Sequence, residues 1–131
     1  MKEIRGINHV GIRVRRLEQA RQFYQQLGFE YVAGPMGPEP VAIMKHPCGL
    51  VINFILNADH AATGNVLMDI PQRYPGYTHI ALDVSELDSI EKRLHALGID
   101  ITEGPLTLPD GGRMLFIRDQ DSNVIEFHQN P

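Results

Sequence analysis

Alternating apolar and polar residues predict two half-buried strands with the same layout. In residues 8–14 apolar side chains alternate with polar or small ones, and residues 78–84 repeat this order. Because successive side chains of a strand point to opposite faces, each strand has one apolar face. The other face begins with a histidine, His9 in the first strand and His79 in the second.

Each predicted strand is followed by a segment with helical periodicity. Apolar side chains recur every three or four residues in residues 17–27 and again in residues 87–97. Such a stripe predicts an amphipathic helix with one buried face. We expect Ser85 to cap the second helix at its N-terminus. Gly28 and Gly98 follow the two stripes directly, and glycine commonly ends a helix.

Both segments belong to a longer internal repeat. Residues 8–30 match the second copy without a gap at a spacing of 70 residues, and residues 51–54 match residues 124–127 at a spacing of 73. Each copy is expected to continue with three short strands, near 29–34, 40–46 and 50–57 in the first and near 99–104, 113–118 and 123–129 in the second. The sequence therefore predicts an α+β fold made of two βαβββ modules.

The chain length is that of one domain. A chain of 131 residues can bury one hydrophobic core but is too short for two independent domains. We expect a single domain over residues 1–131, with one module at about 5–57, an irregular linker at about 58–77 and the other module at about 78–131. Curling about a pseudo-two-fold axis would give a curved, barrel-like mixed sheet.

Composition and charge argue against several classes of partner. The formal net charge is −4 and Lys and Arg are not clustered, which argues against binding to nucleic acid or an anionic membrane. No apolar run is long enough to cross a bilayer, and the first residues lack the apolar run of a signal peptide. Cys48 is the single cysteine, so a reduced, cytoplasmic location without internal disulfides is expected.

The last strand of each module carries a polar residue at a repeat-equivalent position. Asn53 lies between apolar neighbours in the first module, and Glu126 does so in the second. Two neutral imidazoles and one carboxylate form a good site for Zn, Ni, Co, Mn or Fe(II). A single histidine in a strand is more often structural. Two at equivalent positions, with a matching carboxylate, favour one divalent metal ion held by His9, His79 and Glu126.

This order of motifs resembles the vicinal oxygen chelate superfamily, and its pattern is closest to bacterial glyoxalase I-like proteins. The resemblance covers nearly the whole chain except residues 58–77, and its most specific part is Arg-Asp-x-Asp-x-Asn-x-Ile-Glu at 118–126. The superfamily includes methylmalonyl-CoA epimerases, extradiol dioxygenases, fosfomycin-resistance enzymes and metal-free antibiotic-binding proteins such as bleomycin-resistance proteins. The resemblance implies the glyoxalase fold and a homodimer, as in bacterial glyoxalases whose sites draw on both chains.

The resemblance also implies roles for six residues. Its metal-ligand positions correspond to His9, Asn53, His79 and Glu126. Bacterial glyoxalase I usually has glutamate where Asn53 stands, whereas methylmalonyl-CoA epimerases can have a neutral glutamine there. In bacterial glyoxalase I, an arginine and an asparagine at the positions of Arg13 and Asn57 help to hold glutathione. These two residues are therefore candidate substrate-binding residues, and glutathione is a candidate cosubstrate.

The leading functional hypothesis is a metal-dependent lyase or isomerase acting on a small substrate with adjacent oxygens. The metal would stabilise enediolate-like charge, Glu126 would move the proton, and no organic cofactor is expected. One alternative is an Fe(II) extradiol-type dioxygenase using His9, His79 and Glu126 as a facial triad. Against it, Phe116 stands where such enzymes tend to have tyrosine. The other alternative is a non-catalytic small-molecule or antibiotic-binding protein, which would not need this ligand set.

Overall fold

Two units of the same layout make up the chain. The computed structural model describes all residues from 1 to 131, and they divide into Met1–Ala62 (unit 1) and Thr63–Pro131 (unit 2). Each unit contains one helix and one four-stranded mixed sheet. The predicted α+β class and the two βαβββ modules are thus confirmed. Neither helix is long and apolar enough to span a membrane.

The strands and helices lie in the predicted segments. Unit 1 contains β1 (Val10–Arg13), α1 (Leu17–Gln26), β2 (Glu30–Met36), β3 (Val41–Lys45) and β4 (Val51–Ile55). Unit 2 contains β5 (His79–Asp83), α2 (Leu87–Leu97), β6 (Ile101–Thr107), β7 (Arg113–Arg118) and β8 (Val124–Gln129). The spacing of apolar residues therefore predicted all ten elements, with differences only at their ends.

The last strand of each unit lies inside its sheet. The strand orders are β1-β4-β3-β2 and β5-β8-β7-β6, with the first and last strands parallel and the other pairs antiparallel. The parallel register places Asn53 beside Gly11 in unit 1 and Glu126 beside Ala81 in unit 2. Each candidate ligand of a last strand thus has a small residue next to it on the first strand.

The apolar faces of the sheets pack against the helices. In unit 1 the Tyr24 ring of α1 lies 5.2 Å from Phe54 of β4 and 5.7 Å from Phe29, measured between ring centroids. Burying a large apolar side chain contributes about 1.5–3 kcal/mol. The core also includes Val14, Ala20, Ala42, Met44 and Ile52 in unit 1, and Leu87, Leu94, Leu115, Ile117, Ile125 and Phe127 in unit 2. Polar residues between these core positions therefore lie on the opposite face of each sheet.

The helices end as predicted, but α2 begins differently. Gly28 follows α1 with φ +92°, and Gly98 ends α2 with φ +68°, a left-handed conformation that glycine adopts without strain. The expected Ser85 cap is wrong, because Glu86 is the N-cap residue and makes no side-chain capping bond. The Leu87 amide instead donates to Gln129 Oε1 at 2.7 Å. A side chain of β8 therefore takes over the capping role.

Polar contacts fasten part of the predicted linker to unit 2. Arg118 donates to both carboxylate oxygens of Asp69, at 2.8 and 3.1 Å, and this ion pair lowers the pKa of Asp69. The Asn65 amide group donates to the Ser122 carbonyl oxygen at 3.1 Å, and the Asn65 backbone N–H donates to Asp69 Oδ2 at 2.7 Å. Residues 65–69 are thus held against the turn between β7 and β8.

Glycine is required where β6 approaches β7. Gly104 has φ +92°, and a Cβ there would lie 2.8 Å from the Met114 carbonyl oxygen and 3.0 Å from Leu115 Cα. Gly34 is the repeat-equivalent residue in β2, with φ +111°, and a Cβ there would lie 2.5 Å from the Val41 carbonyl oxygen. Both units therefore use a glycine to bring the second and third strands together.

We expect Gly104→Ala to lower the free energy of unfolding by about 3 kcal/mol or more, since backbone strain and a steric clash add together. Gly49→Ala is the matched control, because Gly49 has φ +99° but a Cβ there would meet no other atom within 4 Å. It should cost only about 1–2 kcal/mol, from backbone strain alone. Urea unfolding measures both values, and equal losses would contradict the close approach of β6 and β7.

Candidate metal centre

Strand β8 holds Glu126 in the interior of the unit 2 sheet. Its register places Glu126 between Ala81 of β5 and Phe116 of β7. The Glu126 side chain is only 8% exposed. Burying a carboxylate without hydrogen-bond donors is strongly unfavourable, so its partners determine whether this position is tolerated.

Two histidines contact Glu126, one at each oxygen. His79 Nε2 lies 3.0 Å from Glu126 Oε2, and His128 Nδ1 lies 2.8 Å from Glu126 Oε1. His79 is a predicted site residue, whereas His128 is not among the predicted site residues. The signal that could have identified it is the spacing of two residues between a glutamate and a histidine in one strand, which puts both on one face.

The side chain preceding each candidate histidine engages its Nδ1 atom. His79 Nδ1 lies 2.9 Å from Thr78 Oγ1, and His9 Nδ1 lies 2.8 Å from Asn8 Oδ1. An amide oxygen can only accept, so this contact requires a proton on His9 Nδ1, and in the neutral ring Nε2 then carries the lone pair. Metal-binding histidines commonly have one ring nitrogen hydrogen-bonded to an oxygen and bind the ion through the other, which at His79 is the Nε2 atom that contacts Glu126.

Asn53 is the unit 1 equivalent of Glu126, but its environment differs. Its side-chain oxygen Oδ1 is buried and has no hydrogen-bond partner. Leaving a buried acceptor unpaired costs about 1–3 kcal/mol, and such an atom calls for a partner outside the polypeptide, such as an ion or water. Asn53 Oδ1 therefore has the chemistry of an additional, weak oxygen ligand.

The two predicted substrate-binding residues contact each other. Arg13 Nε donates to Asn57 Oδ1 at 2.8 Å, and Asn57 Nδ2 donates to Glu39 Oε1 at 2.6 Å. Glu39 was not predicted, because it lies in a turn far from Asn57 in sequence. In unit 2 the repeat-equivalent residues are Asp83 and Asn130, and Asn130 Nδ2 donates to Asp83 Oδ1 at 2.8 Å. The two units thus place side chains of opposite charge at the same position of the first strand.

Phe116 forms an apolar wall beside His79. The two rings meet edge to face, with centroids 5.8 Å apart and an interplanar angle of 80°. Phe116 also pairs with Glu126 in the β7–β8 register. Phe116, which stands where extradiol-type enzymes tend to have tyrosine, is therefore a direct neighbour of both His79 and Glu126. It offers no hydroxyl group.

The donor atoms of unit 2 fit a divalent ion. Two atoms bound to one ion at about 2.1 Å, with bonds at a right angle, are about 3 Å apart. The distance between His79 Nε2 and Glu126 Oε2 is 3.0 Å. No group of three or more His, Cys, Asp or Glu side chains in the structure is arranged to hold a metal ion. Of the predicted ligands, the structure brings His79 and Glu126 together in unit 2, whereas His9 and Asn53 belong to unit 1.

Comparison with known families and proteins gives concordant matches. A family model described as Glyoxalase/Bleomycin resistance protein/Dioxygenase superfamily matches residues 6–127. Among curated proteins, the metallothiol transferase FosB of Shouchella clausii is 27% identical over 130 residues, covering 95% of this chain and 80% of FosB. The match to the family model therefore extends over almost the whole chain.

Solved structures share the fold. The fosfomycin resistance protein FosX of Listeria monocytogenes has a TM-score of 0.72 at 21% identity and covers 98% of this chain and 95% of its own. Lactoylglutathione lyase of Agrobacterium tumefaciens has a TM-score of 0.71 at 21% identity, covering 97% and 95%. A mutant FosX was crystallised with Mn(II) and 1S,2S-dihydroxypropylphosphonic acid. At these identities the likeness shows a common fold.

We expect the proton of His9 to reside on Nδ1 in the metal-free protein, because Asn8 Oδ1 accepts it. Long-range ¹H–¹⁵N correlation spectra of the imidazole ring report the tautomer directly. Asn8→Leu removes the acceptor and should give a mixture of tautomers, whereas Asn8→Asp retains an acceptor oxygen and should keep the proton on Nδ1. A wild-type spectrum with the His9 proton on Nε2 would contradict the described hydrogen bond.

Proposed function

Because the chain belongs to the Glyoxalase/Bleomycin resistance protein/Dioxygenase superfamily, we propose that it is a metal-dependent lyase or isomerase of the glyoxalase I-like type. Its substrate is a small molecule with two adjacent oxygens. The main support is the contact of His79 Nε2 with Glu126 Oε2 at 3.0 Å, two donor atoms on one polar sheet face. A Mn(II) complex of FosX, a protein of the same fold, supports a divalent ion as the cofactor class.

Three side chains are proposed to hold the ion, with a fourth as a weaker ligand. His79 and Glu126 supply the pair of donors from unit 2, and His9 supplies a third through the Nε2 lone pair that its bond to Asn8 leaves available. Asn53 Oδ1 is the weaker oxygen ligand, since it is buried without a partner. The bound ion supplies Lewis acidity, which polarises the substrate oxygens and stabilises negative charge on them.

Glu126 is the proposed catalytic base, because it is the only carboxylate at the four predicted ligand positions. Asn53 is neutral and cannot accept a proton at working pH. Both Glu126 oxygens already contact histidines, so to take a proton from substrate Oε2 would have to release both the His79 contact and the proposed ion. The anchored Oε1 atom keeps the carboxylate in place during that step.

Arg13 and Asn57 are proposed to bind an anionic part of the substrate, such as a carboxylate of glutathione. The bond between Arg13 Nε and Asn57 Oδ1 orients the guanidinium group, and a planar guanidinium group suits recognition of a carboxylate. Glutathione is thereby the proposed cosubstrate. The anionic substrate would have to coexist with Glu39, whose carboxylate accepts from Asn57.

Thiol transfer is a second candidate, favoured by the similarity to the metallothiol transferase FosB over 95% of the chain. In thiol transfer the C–S bond forms as the bond from carbon to the leaving oxygen breaks, and the thiol proton passes to that oxygen, so no proton is removed from carbon. Such a reaction suits a site whose one carboxylate, Glu126, already contacts two histidines. The dioxygenase alternative has less support, because Phe116 offers no hydroxyl beside His79.

We expect His79→Ala to abolish tight binding of one divalent ion per chain, because it removes one of three firm ligands. Isothermal titration with Mn(II), Ni(II) and Zn(II) measures the affinity. His95→Ala is the matched control, since His95 also faces a glutamate, with Nε2 3.9 Å from Glu91 Oε1, but lies on α2. Equal metal affinity in wild type and His79→Ala would refute the proposed site.

We expect the metal-loaded chain to turn over the glutathione hemithioacetal of methylglyoxal without oxygen, and Ni(II) or Zn(II) to support this activity. The ion polarises oxygens and is not oxidised. Glu126→Gln should reduce kcat at least 100-fold, about the contribution of a general base. Parallel assays use fosfomycin with glutathione or cysteine, and a catechol with Fe(II). Activity in the fosfomycin assay alone would establish thiol transfer, and oxygen uptake with catechol would overturn both proposals.

A further inference from the structure

His128 lies where it can control the orientation of Glu126. It follows Glu126 by two residues in β8, and its register partners are Asp83 of β5 and Met114 of β7. Its Nδ1 atom meets Glu126 Oε1 at 2.8 Å. On the other side of the ring, Nε2 faces the turn before β7, where a Cβ on Gly112 would lie 3.6 Å away. The ring is therefore placed between the carboxylate and this turn.

A hydrogen bond to one oxygen restricts how a carboxylate can bind an ion. With Oε1 engaged by His128, rotation of the Glu126 carboxylate would break that bond. The other oxygen, Oε2, is the one that lies 3.0 Å from His79 Nε2. The lateral neighbours in the register, Ala81 and Phe116, offer no side-chain donor that could replace His128. His128 is thus the side chain that leaves Oε2, and not Oε1, facing His79.

The other module provides an internal comparison. At the position equivalent to His128, unit 1 has Ile55, and at the position equivalent to Glu126 it has Asn53. Isoleucine cannot donate a hydrogen bond, and Asn53 Oδ1 has no partner. The histidine therefore occurs in the module whose last strand has a carboxylate and is missing from the module that has an amide.

We propose that His128 is a positioning residue that holds Glu126 so that a single oxygen, Oε2, binds the metal ion. This inference rests on the proposed metal site. A hydrogen-bonded carboxylate ligand loses less freedom when it binds an ion, and removing the partner of a metal ligand commonly lowers metal affinity about 10–100-fold. His128 acts through Glu126 and does not itself bind the ion.

The experiment compares two His128 variants in the full chain. His128→Leu removes the donor, and we expect it to weaken Mn(II) binding about 10–100-fold. His128→Asn is nearly the same size as the leucine variant and places an N–H donor close to the position of Nδ1. We expect it to bind Mn(II) within about threefold of wild type. The electron paramagnetic resonance signal of free Mn(II) measures the dissociation constants.

Controls separate this inference from the proposed function. His95→Leu should leave Mn(II) affinity unchanged, and urea unfolding of each metal-free variant shows whether the fold is retained. His128→Met replaces the leucine variant if that one has lost its fold. Wild-type affinity in His128→Leu, alongside lost binding in His79→Ala, would overturn this inference alone. Equal weakening in the leucine and asparagine variants would also overturn it, because the donor would then be irrelevant. Undiminished binding in His79→Ala would overturn both.

Discussion

Burial of a carboxylate in the middle of a sheet is the constraint on which the polar face of unit 2 depends. Glu126 is 8% exposed, and an unpaired buried carboxylate would destabilise a domain of this size by several kcal/mol. His79 and His128 remove that penalty by contacting one oxygen each. The β5–β8 register and the contact of Thr78 with His79 therefore act together, because both position the histidine that allows Glu126 to be buried.

The two modules share a backbone plan and differ in chemistry. Gly34 and Gly104 allow the same close approach of strands, and glycines follow both helices. The polar face differs at three equivalent positions: Arg13 and Asp83, Asn53 and Glu126, and Ile55 and His128. The positions that shape the backbone thus match in the two modules. The positions proposed to contact an ion or substrate have diverged.

The sequence predicted the fold well because periodicity is a local property. Alternation placed Asn53 and Glu126 opposite the helix-packed face, and the burial of Ile52, Phe54 and Ile125 agrees with it. Alternation assigns a face but does not tell which ring nitrogen meets which oxygen, so the contact of His128 with Glu126 was not foreseen. Alternation also does not predict contacts between residues that are distant in sequence. Examples are Gln129 capping α2, Glu39 contacting Asn57, and Arg118 pairing with Asp69.

The contacts of Glu126 with His79 and His128 have a consequence for how the proposed site would acquire a metal ion. In a zinc finger the ligands repel one another or stay solvated until the ion arrives, so metal uptake and folding are one event. Here a carboxylate and two imidazoles stabilise one another through their own contacts, so the sheet can form before any ion binds. Metal binding at the proposed site would then replace the hydrogen bond between His79 and Glu126 on a scaffold that has already folded. A site of this kind would bind and release an ion without any need to unfold.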